Sequence, residues 1–537
     1  MDELANKFIQ RFGQMKSERL DLEPHWRECY KMTFPHRGVH FGGEVTPNQA
    51  RFQQAELLDS TGSEAANVLA ASIVSGMTPA NSQWLELKSD KESDNVERWL
   101  SQVAKILWRN IHASNFDAEN FEASIDGVVG GMFALYIDID RQRGGFQFQQ
   151  WPLSECYFAS TTGQLVDTVY RCYKLTAAQA AERFGDKAGE AITTAARDRP
   201  TQKFEFLHVI YPRSTYAPGA RLAKNMRFAS INIGLTSKTV VQESGYHEFP
   251  LVAPRWSRIP STCYGIGAVS LALPDIKELN VLKKWQKQAA ELAVAGMWIA
   301  EDDGVLNPQV VTVGPRKIIV ANSTDAMKPL LTGSDFNVSF TTEKNLQDQI
   351  RKVMMADTLG QANQGTPMTA TEVQARLNLL RQQLGPVFGR YQAEYLTPLV
   401  ERCFFLMFRD GALPPPPPEM EDANFHVHFD NPLARAQKLT EVTALEQFEA
   451  GLINLAQTMP EALDIYNLET AQRQKAYALG VPIACVRSEE EVNGIRQQRQ
   501  QQQQQAQQQE TGSQMALQNN QAANDAQLQA QAQQGAA

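Results

Sequence analysis

What this 537-residue chain does without narrows it before any motif is read. No run approaches the roughly eighteen consecutive apolar residues of a membrane span, and the N-terminus, MDELANKFIQRF, has no apolar signal core. A chain made and kept in a cytosol, with no membrane partner, is the expectation. Cysteine is sparse: Cys29, Cys156, Cys172, Cys263, Cys403 and Cys485 stand far apart with no C-x-x-C. That predicts buried, reduced thiols, not a disulfide framework or a zinc knuckle. Positive charge is short, and a formal net charge of −9 argues against a broad basic face gripping phosphates. G-x-x-x-x-G-K-[ST] is missing, so no ATP motor of that type is expected, and neither G-x-S-x-G nor H-E-x-x-H occurs. No cofactor or metal is called for, and no enzyme is expected.

What is there reads as an ordinary globular chain. With 43% apolar and 21% charged residues it can bury a large core, and its length predicts roughly three to four domain-sized units. Residues 1–34 read as two helices broken near Leu22–Pro24. Asp59-Ser60-Thr61 offers an N-cap to a small-residue helix ending near Gly76, and a third helix covers Val96–His112. Gly127, Gly130 and Gly131 interrupt the next apolar stretch. Strands follow (ALYIDID, GGFQFQQ, TVYRCYKL), then a helical piece at Thr176–Phe184, then KFEFLHVIY, SINIGL and KTVVQES. The class is α+β, helices first and an antiparallel sheet afterwards.

The stretch Tyr264–Asp357 organises the rest. A helix is readable from Pro274, suited to a first turn, to about Met297. Ile276, Leu279, Leu282, Trp285, Ala289 and Leu292 fall on one face, with lysines on the remainder. A compact insert of strand-like pieces follows, then a return helix from Thr341 to Asp357. Glu343 would lie in its first turn, and Leu346, Ile350, Val353 and Met354 form its stripe. An apolar stripe must be covered, and the pair reads as a stave in a ring of identical chains. Beyond it, GQANQGTPM is a polar loop. Thr369-x-x-Glu372 caps a helix that Gly385-Pro386 must kink before it stops at Gly411. Pro414–Pro418 is a stiff spacer, FHVHF a strand, 434–478 helical, and the Gln/Ala-rich tail is helical in an assembly or disordered.

Three sets of side chains invite a chemical reading. His426-x-His428 would point to one side of a strand, and Asp138-x-Asp140 could meet a divalent ion, yet both are ordinary strand residues without a third ligand nearby in sequence. Lys283, Lys284, Lys287, Arg351 and Lys352 are either a solvated helix surface or a weak, sliding contact with a phosphate backbone. The loop at 360–368 is either a plain connector or, if the hairpins line a pore, a projection into it.

Trp256, Tyr264-Gly265, LALPDIKELNVLKK, the MTATEV helix start and LGPVFGRYQAEYLTPLVER resemble the head-to-tail connector, or portal, proteins of short-tailed bacteriophages. The resemblance runs through most of residues 1–480. It implies a portal fold in a ring, usually of twelve subunits, at one capsid vertex. By analogy residues 1–262 are the wing, 263–297 the first stem helix, 298–340 a small α/β clip and 341–357 the second stem helix. Residues 358–368 are the tunnel loop, 369–411 a kinked wing helix, 412–423 a Pro-rich linker, 424–487 a helical crown and 488–537 a barrel or disordered tail. Gln361, Asn363, Gln364 and Thr366 then face the channel, with the stem cations as a weaker second contact; Trp285, Leu282 and Ile350 pack between subunits. The implied partners are double-stranded DNA in the lumen, the terminase large subunit, a tail adaptor, and the capsid and scaffolding proteins, in a virion assembled in the host cytoplasm. The alternatives are another virion component, such as a scaffold or internal core protein without a channel, and a nuclease using Asp138 and Asp140.

Overall fold

The computed structural model describes residues 3–295, with short breaks between 39 and 46, at 90–93, at 162–164 and between 218 and 221. It also describes 298–300, 327–329, 336–357 and 385–420, and pieces of the C-terminal region at 425–429, 442–452, 466–479, 487, 491–504 and a few positions beyond. Two compact units result. One holds 1–86, 103–414 and 427–433; the other holds 87–102, 415–426 and 434–537.

The first unit opens with helices α1 (Glu3–Arg19), α2 (Glu23–Thr33), the short α3 (Pro35–Gly38), α4 (Pro47–Ala55) and α5 (Thr61–Met77). Strand β1 (Leu85–Ser89) and α6 (Asp94–His112) come next in the chain, with their residues 87–102 assigned to the second unit, and then α7 (Phe116–Gly130) in the first. Asp59 Oδ1 accepts the Thr61 N–H at 2.8 Å, holding the entry to α5. Gly127 and Gly130 were expected to interrupt this region, but both lie inside α7, where burial against Tyr391, Phe133 and Leu153 leaves no room for a side chain. The helix ends one residue later, at Gly131 with φ +84°.

An antiparallel meander follows. β2 (Ala134–Ile139) pairs with β3 (Phe146–Trp151) and with β9 (Leu251–Val252). A five-stranded sheet runs in the order β4 (Cys156–Ala159), β5 (Thr168–Thr176), β6 (Lys203–Pro212), β7 (Phe228–Gly234), β8 (Thr239–Tyr246). Alternation along β6 separates its two surfaces. Leu207 and Val209 pack with Ala5, Phe8 and Met15 of α1. Phe206 turns to Phe184 and Ile192 of two helices inserted between β5 and β6, α8 (Ala177–Phe184) and α9 (Glu190–Asp198). A capping box of Thr176 and Gln179 starts α8.

The short pair β10 (Ser257–Arg258) and β11 (Gly265–Ile266) leads into α10 (Ala268–Ala295). That helix begins six residues before the expected start, so Pro274 lies inside it and removes the bond to the Ser270 carbonyl. Two glycines fix where it begins. A Cβ on Gly131 would stand 2.4 Å from the Gly267 nitrogen, and one on Gly267 would stand 2.3 Å from the Val128 carbonyl oxygen. The end of α7 and the start of α10 therefore touch backbone to backbone.

Strands β12 (Trp298–Ala300) and β13 (Met327–Pro329) pair antiparallel, bringing the two ends of the insert together. The return helix α11 spans Phe336–Val353, earlier at both ends than 341–357, and Met355 at φ 59° marks a break in the helical path just beyond it. Helical structure resumes at Gly385, passes through a π-turn at Gln392–Leu396, and continues as α12 (Thr397–Asp410). Gly411 ends it in the left-handed conformation, at the position the sequence marks. The segment 358–384, which holds the expected tunnel loop and the upstream side of the expected kink, lies outside the described residues. Strand β14 (Phe425–Phe429) falls where FHVHF predicts one. In the second unit, Glu449 accepts hydrogen bonds from Tyr466 at 2.7 Å and from Lys475.

Candidate functional site

The long helix pair of the first unit leaves several large apolar side chains open on its surface. At 28 residues, α10 is about 42 Å long. Its root is buried: Ala272, Ile276 and Leu279 are each 3% exposed or less. Ile276 lies over Gly62, where an added Cβ would meet it at 3.0 Å, so α5 and α10 pack closely. Antiparallel to α10, α11 is held by an ion pair between Lys283 and Glu343 and by Gln286 Nε2 donating to Ser339 Oγ at 3.0 Å. Glu343 was expected near the helix dipole; it sits mid-helix and spends its charge on Lys283 because α11 begins earlier. Gln347 donates to Asp59 Oδ2 at 3.1 Å, and Arg351 reaches Glu64 at 3.6 Å, tying α11 to the α5 region.

The five predicted cations differ in their surroundings. Lys283 is neutralised by Glu343, and Arg351 by Glu64 and Asp348. Lys284, Lys287 and Lys352 are exposed. Of the three residues expected between subunits, Ile350 is fully buried within its own chain. Leu282 is half-buried, whereas Trp285 is 63% exposed. Trp285 has company the spacing analysis missed. Leu271 is 71% exposed, and Pro274 and Glu278 are exposed on the same strip; Val338 and Phe340 of α11 are also open. The signal was legible as a second period, Leu271, Glu278, Trp285, seven residues apart. On its other side α10 forms one wall of a cleft of about 670 Å³, with Lys31, Met32, Leu57 and Leu58 opposite Lys284 and Lys287.

Asp138 and Asp140 are occupied locally. Asp138 accepts from the Tyr136 hydroxyl at 2.7 Å and the Ile139 N–H at 2.9 Å. Asp140 accepts the Gln142 and Arg143 N–H groups at 2.8 and 3.1 Å, which also hold its carboxyl below the usual range. Among the described residues, no three of His, Cys, Asp and Glu gather closely enough to hold a metal ion. His426 and His428 are on β14, with their side chains outside the described set. Gln361, Asn363, Gln364 and Thr366 also lie outside it.

Three polar constellations resemble catalytic ones. Cys29 lies 3.6 Å from His25, itself 2.8 Å from Ser270 Oγ, but burial pushes the thiol up to about 11, so it is no nucleophile at neutral pH. His112 is held at both nitrogens, Nε2 accepting from Trp84 at 2.9 Å and Nδ1 meeting Asp117 at 2.7 Å. Asp126, fully enclosed with Tyr30, Arg37 and Gln150 as partners, has its pKa raised by burial against the opposing Arg37 charge. Each of these groups braces the helical root. Among the described residues no helix is long and apolar enough to cross a membrane.

The family profile described as "Bacteriophage head to tail connecting protein" matches residues 5–486. A probable portal protein of Bordetella phage BPP-1 is 27% identical over 514 residues, covering 91% of this chain and 90% of the relative. The portal protein of Salmonella phage epsilon15 is 26% identical over 515 residues, covering 92% and 90%. A chain from the virion of a native gene transfer agent particle matches at 12% identity and a TM-score of 0.31, over 73% of this chain and 84% of its own, too slight a likeness to superpose the folds.

Proposed function

The chain belongs to the family of bacteriophage head to tail connecting proteins, and from that premise we propose that it acts as a portal. It is a structural protein of the virion: identical copies close into a ring, usually of twelve, at one capsid vertex, and duplex DNA enters and leaves through the hole. The observation that carries this reading is a long rod rooted in a rigid body, with Leu271, Trp285, Val338 and Phe340 left open on its pair of helices. Exposed apolar side chains grouped on one rod are normally covered by something, and in this family the cover is another copy.

The region divisions follow the same plan. Residues 1–262 form the wing, α10 and α11 the stem, and the insert between those two helices the clip. The terminase docks on the clip during packaging, and a tail adaptor replaces it afterwards. Residues 358–368, with Gln361, Asn363, Gln364 and Thr366, reach the channel as the tunnel loop; 424–487 form the crown. A net charge of −9 per copy keeps the lumen from gripping the phosphates passing through it. Lys283 and Arg351 are drawn into ion pairs, so the cations that remain open to the lumen are few.

Electron micrographs of the purified chain test this. Closed rings with a central hole are expected, and a monodisperse monomer in every condition would retire the portal reading. A scaffold or internal core protein is disfavoured by the five-stranded sheet, since such proteins are mostly helical.

A further inference from the structure

Resting on the portal reading, we propose that neighbouring copies join ridge to cleft: the strip Leu271–Glu278–Trp285 of one copy enters the cleft beside Lys284 and Lys287 of the next. The two features belong to one helix but to different sides of it. At 100° per residue, the strip's centre lies about 120° round α10 from the wall formed by Asn280, Val281, Lys284, Lys287, Gln288 and Glu291. A molecule carrying complementary patches on different sides can be joined on both sides at once. The contact is then heterologous, and it propagates until the rotation closes a ring. A two-fold contact through the strip alone would stop at two copies.

Shape and charge select a second copy as the occupant. The cleft, about 670 Å³, presents Met32, Leu57 and Leu58 as an apolar floor large enough for an indole ring, and Trp285 is the largest open side chain on the strip. Its rim is rigid where it meets α10, because Asn280 Oδ1 accepts the Leu58 N–H at 2.7 Å. Lys31 on the far wall is already matched by Glu56 at 2.9 Å. Lys284 and Lys287 are exposed and have no carboxylate partner among the described residues. Glu278, midway between Leu271 and Trp285, is likewise exposed and has no cation partner among the described residues. Each copy thus offers an open carboxylate on its ridge and, in its cleft, two open ammonium groups against the one open carboxylate of Glu291. That arrangement favours one ridge in one cleft and disfavours ridge on ridge, where two Glu278 side chains would meet.

The test uses the full chain carrying Glu278→Cys and Lys287→Cys together, oxidised after assembly and run on a non-reducing denaturing gel. A ladder reaching well past the dimer is expected, absent from the parent and from either single variant. Bands that stop at the dimer, or no new bands, overturn the ridge-to-cleft contact. Micrographs of the parent separate this from the larger reading: rings without a ladder sink only the contact, whereas no rings at all sink the portal assignment as well. A charge swap gives an independent check. Glu278→Lys alone should lower the ring fraction several-fold, and adding Lys284→Glu and Lys287→Glu should restore it; no recovery in the triple variant counts against the contact.

Discussion

Ile350 and Trp285 are both large apolar residues on the helix pair, yet their surroundings predict opposite behaviour. Ile350 is fully enclosed by its own chain, so Ile350→Ala should cost about 2–5 kcal/mol and lower the urea midpoint of the dissociated subunit. Trp285→Ala should change the subunit's unfolding free energy by no more than ~0.5 kcal/mol, because the ring is mostly in water there, while still reducing the fraction assembled. Equal midpoint losses in the two variants would refute the distinction. His208 makes a second residue-scale case. Buried in the five-stranded sheet, with Nε2 2.9 Å from Ser230 Oγ, it has its pKa pushed down to about 3 by burial and by Arg183 and Arg171. The folded state resists protonating this ring and the unfolded chain does not. Its stabilising contribution is therefore complete above about pH 6.5 and is lost progressively as pH falls towards 3. The slope approaches ~1.4 kcal/mol per pH unit at most. Unfolding curves at pH 7, 5.5 and 4.5 should show His208→Gln flattening this dependence; parallel curves for parent and variant would rule it out.

At the scale of elements, the π-turn at Gln392–Leu396 has a visible task. The extra residue in the turn aims Glu394 at Arg255, whose Nη2 and Nε donate to the carboxylate at 2.7 and 2.9 Å and whose backbone N–H adds a third bond at 3.0 Å. Arg390 donates to the Trp256 carbonyl oxygen at 2.7 Å. The strap 255–256, which leads into α10, is thereby clamped to the helix that continues as α12. Breaking a buried pair of this kind typically costs about 3–5 kcal/mol, since the surviving charge is stranded. Glu394→Ala should show a loss of that order in urea unfolding, and Arg255→Met with Glu394→Met should recover most of it. A Glu394→Ala protein as stable as the parent would show that the clamp contributes nothing. Removing Gln361–Gly365, by contrast, should leave ring assembly intact and reduce the DNA packaged or retained. Normal DNA content in particles carrying the deletion would end the proposed role of that loop.

For the whole molecule, much was legible in the sequence and the remainder was hidden for identifiable reasons. Strands β2, β3 and β5 to β8, the helix at Thr176–Phe184 and the stop at Gly411 follow from local chemistry, and each falls where its residues indicate. Gly127 and Gly130 misled because a glycine demanded by close packing looks the same, in one dimension, as a glycine that ends a helix. The start of α10 was misplaced because Pro274 carries a strong local signal, while the backbone contact of Gly131 with Gly267 joins residues far apart in the chain. Ile350 and Trp285 were grouped together because periodicity identifies an apolar stripe but not what covers it. By itself, then, the sequence determined the α+β class, the helix–insert–helix plan and the family, since these rest on short-range patterning and on the order of motifs. Only the tertiary structure decided which apolar side chains are consumed inside the subunit and which stay open, which lysines are neutralised, and which side of α10 is ridge and which is cleft. Burial and ion pairing are properties of surfaces brought together, and no single segment carries them alone.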